Sequence, residues 1–156
     1  MLNSSRGVDV FPYAPARRAA IGFAPIEVRM DMIEEPQSLW IDAARHPLGL
    51  RVHVRGKETF DNTMAYWGAI TRYLRLTGAR NLIVFDELAG DALTESEWLD
   101  LVLKMAGTGL EQVRIAHVKP RGRSEIEYCE LHARNAGYDA RVFTSEQDAE
   151  RWLCGG

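Results

Sequence analysis

Leu82-Ile83-Val84-Phe85-Asp86-Glu87 is a run of four apolar residues ending in two acids, and its flanks decide how it folds. A short apolar run of this length suits a strand covered on both faces. Upstream, Phe60, Met64, Trp67, Thr71 and Leu74 recur at helical spacing, with Asp61 as a candidate cap and Gly78 as the stop. Downstream, Thr94-Glu95-Ser96-Glu97 has the form of a capping box. It opens a helix that buries Trp98, Val102 and Met105 and stops near Gly107 or Gly109. A buried strand between two helices implies crossover connections, and so parallel neighbours with helices packed on the sheet.

The alternation continues toward the C-terminus. Val113–Val118 is the next strand, and Ser124-Glu125-Ile126-Glu127 is a second capping box opening a helix through Asn135, closed by Ala136-Gly137. Arg141–Phe143 is a short last strand, and Thr144–Gln147 caps a final helix carrying Ala149, Trp152 and Leu153. Toward the N-terminus the period changes to two. Ile26, Val28, Met30 and Met32 alternate with Glu27, Arg29 and Asp31; Ser38–Ile41 is a short candidate; His46–Gly49 reads as a turn before the alternating Leu50–Arg55. These pieces suit an antiparallel meander. The expected fold is α/β, a mixed, mostly parallel sheet of about five strands with about four helices. Residues 1–24, with Pro12 and Pro15 and no sustained period, read as an N-terminal arm, and 25–154 as the domain.

At 156 residues a second core would be cramped. The net charge of −3 argues against a whole-protein field for nucleic acid or an anionic membrane. Arg17 and Arg18 precede an apolar stretch, Ala19–Ala24, that Pro25 and Glu27 cut short, so neither a signal peptide nor a membrane span is expected and the cytoplasm is the default. Cys129 and Cys154 are too few for a disulfide scaffold and lie near no histidine cluster; one packed thiol and one tail thiol are expected, with no metal and no cofactor.

A family resemblance appears at the end of the chain. Ile115–Val118, Ala133–Gly137, Ala140–Thr144 and Asp148–Leu153 follow one another in a cadence similar to the closing segment of STAS domains of the SpoIIAA-like branch. Leu82–Asp86 also sits where that family places its central strand, so that residues 25–154 resemble it as a whole. The resemblance implies a STAS/SpoIIAA-like module, also compared with the SEC14 lipid-binding fold. Its implied role is non-catalytic and regulatory, binding a protein partner or a small anionic or apolar ligand. One departure is local. Anti-sigma-factor antagonists of this superfamily carry an Asp-Ser-Ser-Gly type element with a phosphorylated serine, whereas Asp86–Glu97 here has no serine pair. Thr94 and Ser96 are the only hydroxyls open to a phospho-switch, but Asp91, Glu95 and Glu97 would repel a phosphoryl group, and Thr94 reads first as a helix cap.

Candidate chemistry gathers at two strand ends. Asp86 and Glu87 suit a ligand-facing carboxylate or a phospho-acceptor, although an acceptor would need further acids to hold magnesium; otherwise they are solvated strand-end acids. His117 and Lys119, followed by Arg121 and Arg123 before a helix, make a candidate anion site without a phosphate-loop motif; the plainer reading is a solvated basic turn and a packed histidine. His53 and Arg55 read as a polar sheet face and His132 as a surface residue. Trp67, Trp98 and Trp152 fit buried helix stripes, while Trp40, with Phe11, Tyr13 and Phe23 of the arm, suits a partner or dimer surface. No serine sits in a nucleophile elbow, and neither cysteine has a nucleophile signature. Three readings follow. The first is a non-catalytic binding module; the second is a small phosphoryl-transfer or hydrolytic domain using Asp86, His117 and Lys119; the third is a self-association unit completed by the arm.

Overall fold

The change of period at Phe60 is the point where antiparallel pairing ends and crossovers begin. The computed structural model describes residues 28–34 and 37–155; the expected arm of residues 1–24, like Ile26 and Glu27 of the first expected strand, lies outside the described residues. Strands β1 (Val28–Glu34), β2 (Gln37–His46) and β3 (Gly49–Lys57) form the antiparallel meander. There follow α1 (Phe60–Thr77), β4 (Asn81–Ala89), α2 (Glu95–Lys104), β5 (Arg114–Val118), α3 (Tyr128–Asn135), β6 (Asp139–Phe143) and α4 (Glu146–Cys154). A short 3₁₀ turn, Leu110–Gln112, precedes β5.

All six strands join one sheet in the order β1-β2-β3-β4-β5-β6, parallel from β3 onward. The class is therefore α/β with a mixed sheet and four α-helices, as the alternation of periods predicted. Because each crossover steps the same way along the sheet, α1, α2 and α3 lie on one face. There they cover a large core that includes Ile41, Val52, Val84, Tyr66, Trp98 and Val142. After β6 no further strand is added. The chain is free to return behind the sheet, where α4 seals a smaller core of Ile83, Ala116, Val118, Ala149 and Leu153. Half of that second face, over β2 and β3, carries no helix among the described residues and is polar and aromatic, with Trp40, His53 and Arg55.

Local chemistry fixes the element ends, and in several places it differs from the expectation. Thr59, not Asp61, caps α1, its hydroxyl accepting from Asn62 N at 3.1 Å. The buried face of α1 is centred on Thr63, Tyr66 and Ile70, wider than the predicted stripe, because this helix packs on both the sheet and α2. The Thr94 capping box is complete in both directions. The one expected at Ser124 forms only by half: Glu127 accepts from Ser124 N at 2.7 Å, yet Glu127 is itself extended and α3 starts at Tyr128. The cause is the second carboxylate oxygen of Glu127, which is drawn inward to Lys119. Ser145 rather than Thr144 caps α4. Gly49 has a positive φ of 152°, and a Cβ there would lie 2.1 Å from the Asn81 carbonyl oxygen, so β3 can enter the sheet beside β4 only with glycine at this place.

Candidate functional site

β4 alternates its side chains, and this separates the two acids at its end. Leu82, Val84 and Asp86 point toward α1–α3, whereas Ile83, Phe85 and Glu87 point to the opposite face. Glu87 accepts from His53 Nε2 at 2.6 Å and from Arg55 Nε at 2.9 Å, both on the same oxygen. These two donors hold the Glu87 carboxyl below the usual range. Asp86 and Glu87 therefore do not share a site.

Beneath the helices, Asp86 belongs to a buried polar network. His117 of β5 lies diagonally across the strand pair, opposite Val84, and its Nε2 donates to Asp86 Oδ2 at 2.8 Å. The Tyr66 hydroxyl of α1 donates to the same oxygen at 3.3 Å, and Leu88 N donates to Oδ1 at 3.0 Å. The side chains of His117 and Asp86 are only 5% and 9% exposed, so water screens their charges little. Burial alone would lower the His117 pKa, but the hydrogen bonds to Asp86 and Cys129 raise it to about 9, leaving the ring positively charged at neutral pH. Burial would likewise raise Asp86, and the His117 bond overrides it, so that its pKa is lowered. The neighbours show the same field. Burial and the Asp86 charge raise Tyr66, and the same two causes raise Glu58.

The network continues to the start of α3. Lys119 Nζ donates to Glu127 Oε2 at 2.8 Å and lies over the Trp98 ring at 5.6 Å. The Cys129 thiol donates to the same Glu127 oxygen at 3.7 Å. Trp67 and Trp98 stand edge-on to the His117 ring, with centroids 6.0 and 6.4 Å away. The buried Trp67 indole N–H lies beside the Tyr66 hydroxyl without forming a hydrogen bond of good geometry.

His117, Cys129, Trp67 and Trp98 line a pocket between α2, α3 and β5–β6, together with residues such as Val102 and Tyr138. It spans about 450 Å³ counted out to its mouth. It is a largely apolar slit whose lining also includes His117, Cys129, Glu130 and Arg141.

The other predicted site residues are dispersed. The Lys119–Arg123 turn does not present a basic cluster: Lys119 turns inward to Glu127, Arg121 is exposed, and Arg123 leans toward Glu130 at 3.7 Å. Thr94 is held as the cap of α2, its hydroxyl accepting from Glu97 N at 3.3 Å and lying 3.2 Å from the Ser96 hydroxyl. A phosphoryl group on Thr94 would break that box. His132, expected at the surface, is half-buried with its ring stacked on Tyr128. Cys129 is buried and Cys154 exposed, as expected of one packed and one tail thiol.

One further cluster has the residue types of a metal centre. His46, Glu146 and Glu150 bring ligand atoms within 4.8 Å of one another. Their proton pattern opposes coordination. Leu48 N donates to His46 Nδ1 at 3.1 Å, so Nε2 carries the ring proton and gives it to Glu150 at 3.0 Å. Glu146 accepts from Arg51 Nε and Nη2, at 2.5 and 3.1 Å. These are satisfied pairs.

Tyr66, Trp67, Trp98, Glu127 and Cys129 are the members of the buried site that sequence reasoning did not assign to it. Compared with known proteins, the chain matches no family model and no curated protein.

Proposed function

We propose that the chain is a non-catalytic binding module of the STAS (SpoIIAA-like) type that takes a small, largely apolar ligand in the slit between α2, α3 and β5–β6. The observation that carries this reading is the slit itself, whose largely apolar lining includes the buried, positive His117. Such a site suits an apolar body bearing one acceptor or negative group. The one-way winding from β3 to β6, with its helices on one face, is in keeping with the family resemblance. It also removes the crevice that oppositely leaving connections open in doubly wound sheets. No helix among the described residues is long and apolar enough to cross a membrane.

Selective ¹⁵N-tryptophan labelling tests the proposal, since the four tryptophans separate the surfaces. Benzoate, as an anionic apolar probe, and benzyl alcohol, as its neutral counterpart, are expected to move the indole signals of Trp67 and Trp98 and to leave those of Trp40 and Trp152 in place. Movement of Trp40 alone, or of none, would overturn the reading.

The 2.8 Å contact of His117 with Asp86 favours a second reading, a small hydrolytic or phosphoryl-transfer domain. Against it, each of these two groups has the other as its partner, and Lys119 is engaged by Glu127. Turnover of p-nitrophenyl acetate or p-nitrophenyl phosphate that is lost in Asp86→Asn would decide for this alternative. Self-association through the arm rests on residues outside those described; deletion of residues 1–24 with an unchanged monomer mass in light scattering would exclude it.

A further inference from the structure

β6 ends one side of the sheet, and among the described residues no strand pairs with its outer edge. Along a strand, the N–H and C=O of one residue point to one side and those of the next to the other. The Phe143 carbonyl accepts from Lys119 N at 2.8 Å, on the β5 side, so Val142 and Ala140 present their backbone groups outward. Where a further strand would supply a carbonyl, the Glu130 carboxylate accepts from Val142 N at 2.8 Å. Arg123 and Arg134 lie 3.7 and 3.5 Å from the same carboxylate, two cations ready to hold it away from the strand. The edge is thus guarded by a side chain, which can turn aside, and not by backbone.

The side chains of β6 are self-complementary. Asp139, Arg141 and Phe143 alternate onto one face, where Phe143 packs against Trp152 of α4. Asp139 and Arg141 are both exposed. Arg141 makes no ion pair among the described residues and lies over the Phe143 ring at 5.6 Å. When two such strands pair antiparallel about a two-fold axis, a register centred on Asp139 or on Arg141 sets like charges directly opposite, which is unfavourable. The register centred on Ala140 sets Asp139 opposite Arg141 of the second copy, and Arg141 opposite Asp139 of the second copy. In that register the two Ala140 residues exchange both backbone bonds. Val142 N–H then donates to the Tyr138 carbonyl of the second copy in place of Glu130.

We infer that the outer edge of β6 pairs antiparallel with β6 of a second copy of this chain, in the register centred on Ala140, joining the two sheets into one. The interface is isologous, so every contact occurs twice. Glu130 is its gate, withdrawing to Arg123 and Arg134 as the edge pairs. The groove that Glu130 and Arg134 line along α3 also carries the exposed Ile126 and Leu131, which flank the joined edges. β6 has five residues, so the pair belongs with weak, reversible interfaces. The surface is separate from the arm of residues 1–24 and needs no ligand in the slit.

Sedimentation velocity of the full chain, from about 1 μM to about 1 mM, tests the inference. The wild type is expected to show a reversible monomer–dimer equilibrium, which Glu130→Ala strengthens about tenfold by removing the competitor for Val142 N–H. Asp139→Arg alone and Arg141→Asp alone each set like charges opposite and are expected to stay monomeric, with circular dichroism confirming that each is folded. Mixed in equal amounts, these two variants restore both opposite-charge pairs, and dimer is expected to return. The double variant Asp139→Arg/Arg141→Asp should dimerise like the wild type. A chain that stays monomeric throughout, Glu130→Ala included, would overturn the inference. So would a dimer that survives each single charge reversal, or a mixture no more associated than its two components.

Discussion

Raising the pH from 6 to 10 should remove a definable part of the stability, because the His117–Asp86 pair is buried and its histidine carries the larger shift. His117 titrates at about 9 in the folded chain against 6.5 for an unperturbed histidine. Between those values the folded state holds a proton that the unfolded state has released. Stability therefore falls with rising pH across this window. The contribution is fully present below about 6.5 and gone above about 9. A gap of about 2.5 in pKa, at roughly 1.4 kcal/mol per pH unit, is worth about 3 kcal/mol. The lowered pKa of Asp86 describes the same contact from the other side and is not added; it acts at the acid end, where stability is lost as the pH falls through the carboxylate range. Urea unfolding of the wild type at intervals from pH 6 to pH 10, with Asp86→Asn in parallel, measures the effect. The wild type should lose about 3 kcal/mol more than the variant over that range, and the variant should already be weaker by about 3–5 kcal/mol at pH 6. Equal pH slopes for the two proteins, or an NMR titration placing the His117 ring below 7, would refute the reasoning.

Three other perturbations test separate parts of the fold. Gly49→Ala puts a Cβ 2.1 Å from the Asn81 carbonyl at a positive φ, and should cost about 2–4 kcal/mol in chemical denaturation. Thr94→Ala removes one half of the complete capping box of α2 and should cost about 1 kcal/mol, read as a lower Tm by calorimetry. Glu130→Ala frees the Val142 N–H, which donates to Glu130 at 2.8 Å on the outer side of edge strand β6. The expected stability loss is about 1 kcal/mol, with increased association in light scattering as the bared edge pairs with other chains.

How far the sequence carries these results depends on the range of the interaction. Periods of two before Phe60 and of 3.6 after it are local properties, and they gave the order of strands and helices down to the Thr94 box. The same period of two, applied to Phe85-Asp86-Glu87, separates the two acids onto opposite faces, which the reading of both as strand-end site candidates did not use. The Ser124 box failed because a long-range demand, Lys119 on Glu127, overrode a local one. The buried site was legible only in part. Asp86 and His117 stood out as polar residues ending apolar strands. Tyr66, Trp67, Trp98, Glu127 and Cys129 come from other elements at spacings set by the crossovers, and each reads by itself as ordinary core or surface.

In this sheet each strand's neighbour in space is its neighbour in sequence. Closure of the sheet therefore demands no loop longer than a single strand–helix–strand unit, and loop-closure entropy is met in small increments. A domain with parallel pairing usually pairs distant segments and folds slowly; here the contact order is kept low by the sequential winding. The winding order lets β4, β5 and β6 be added to the meander in the order in which they occur in the chain, with α4 packing behind the sheet.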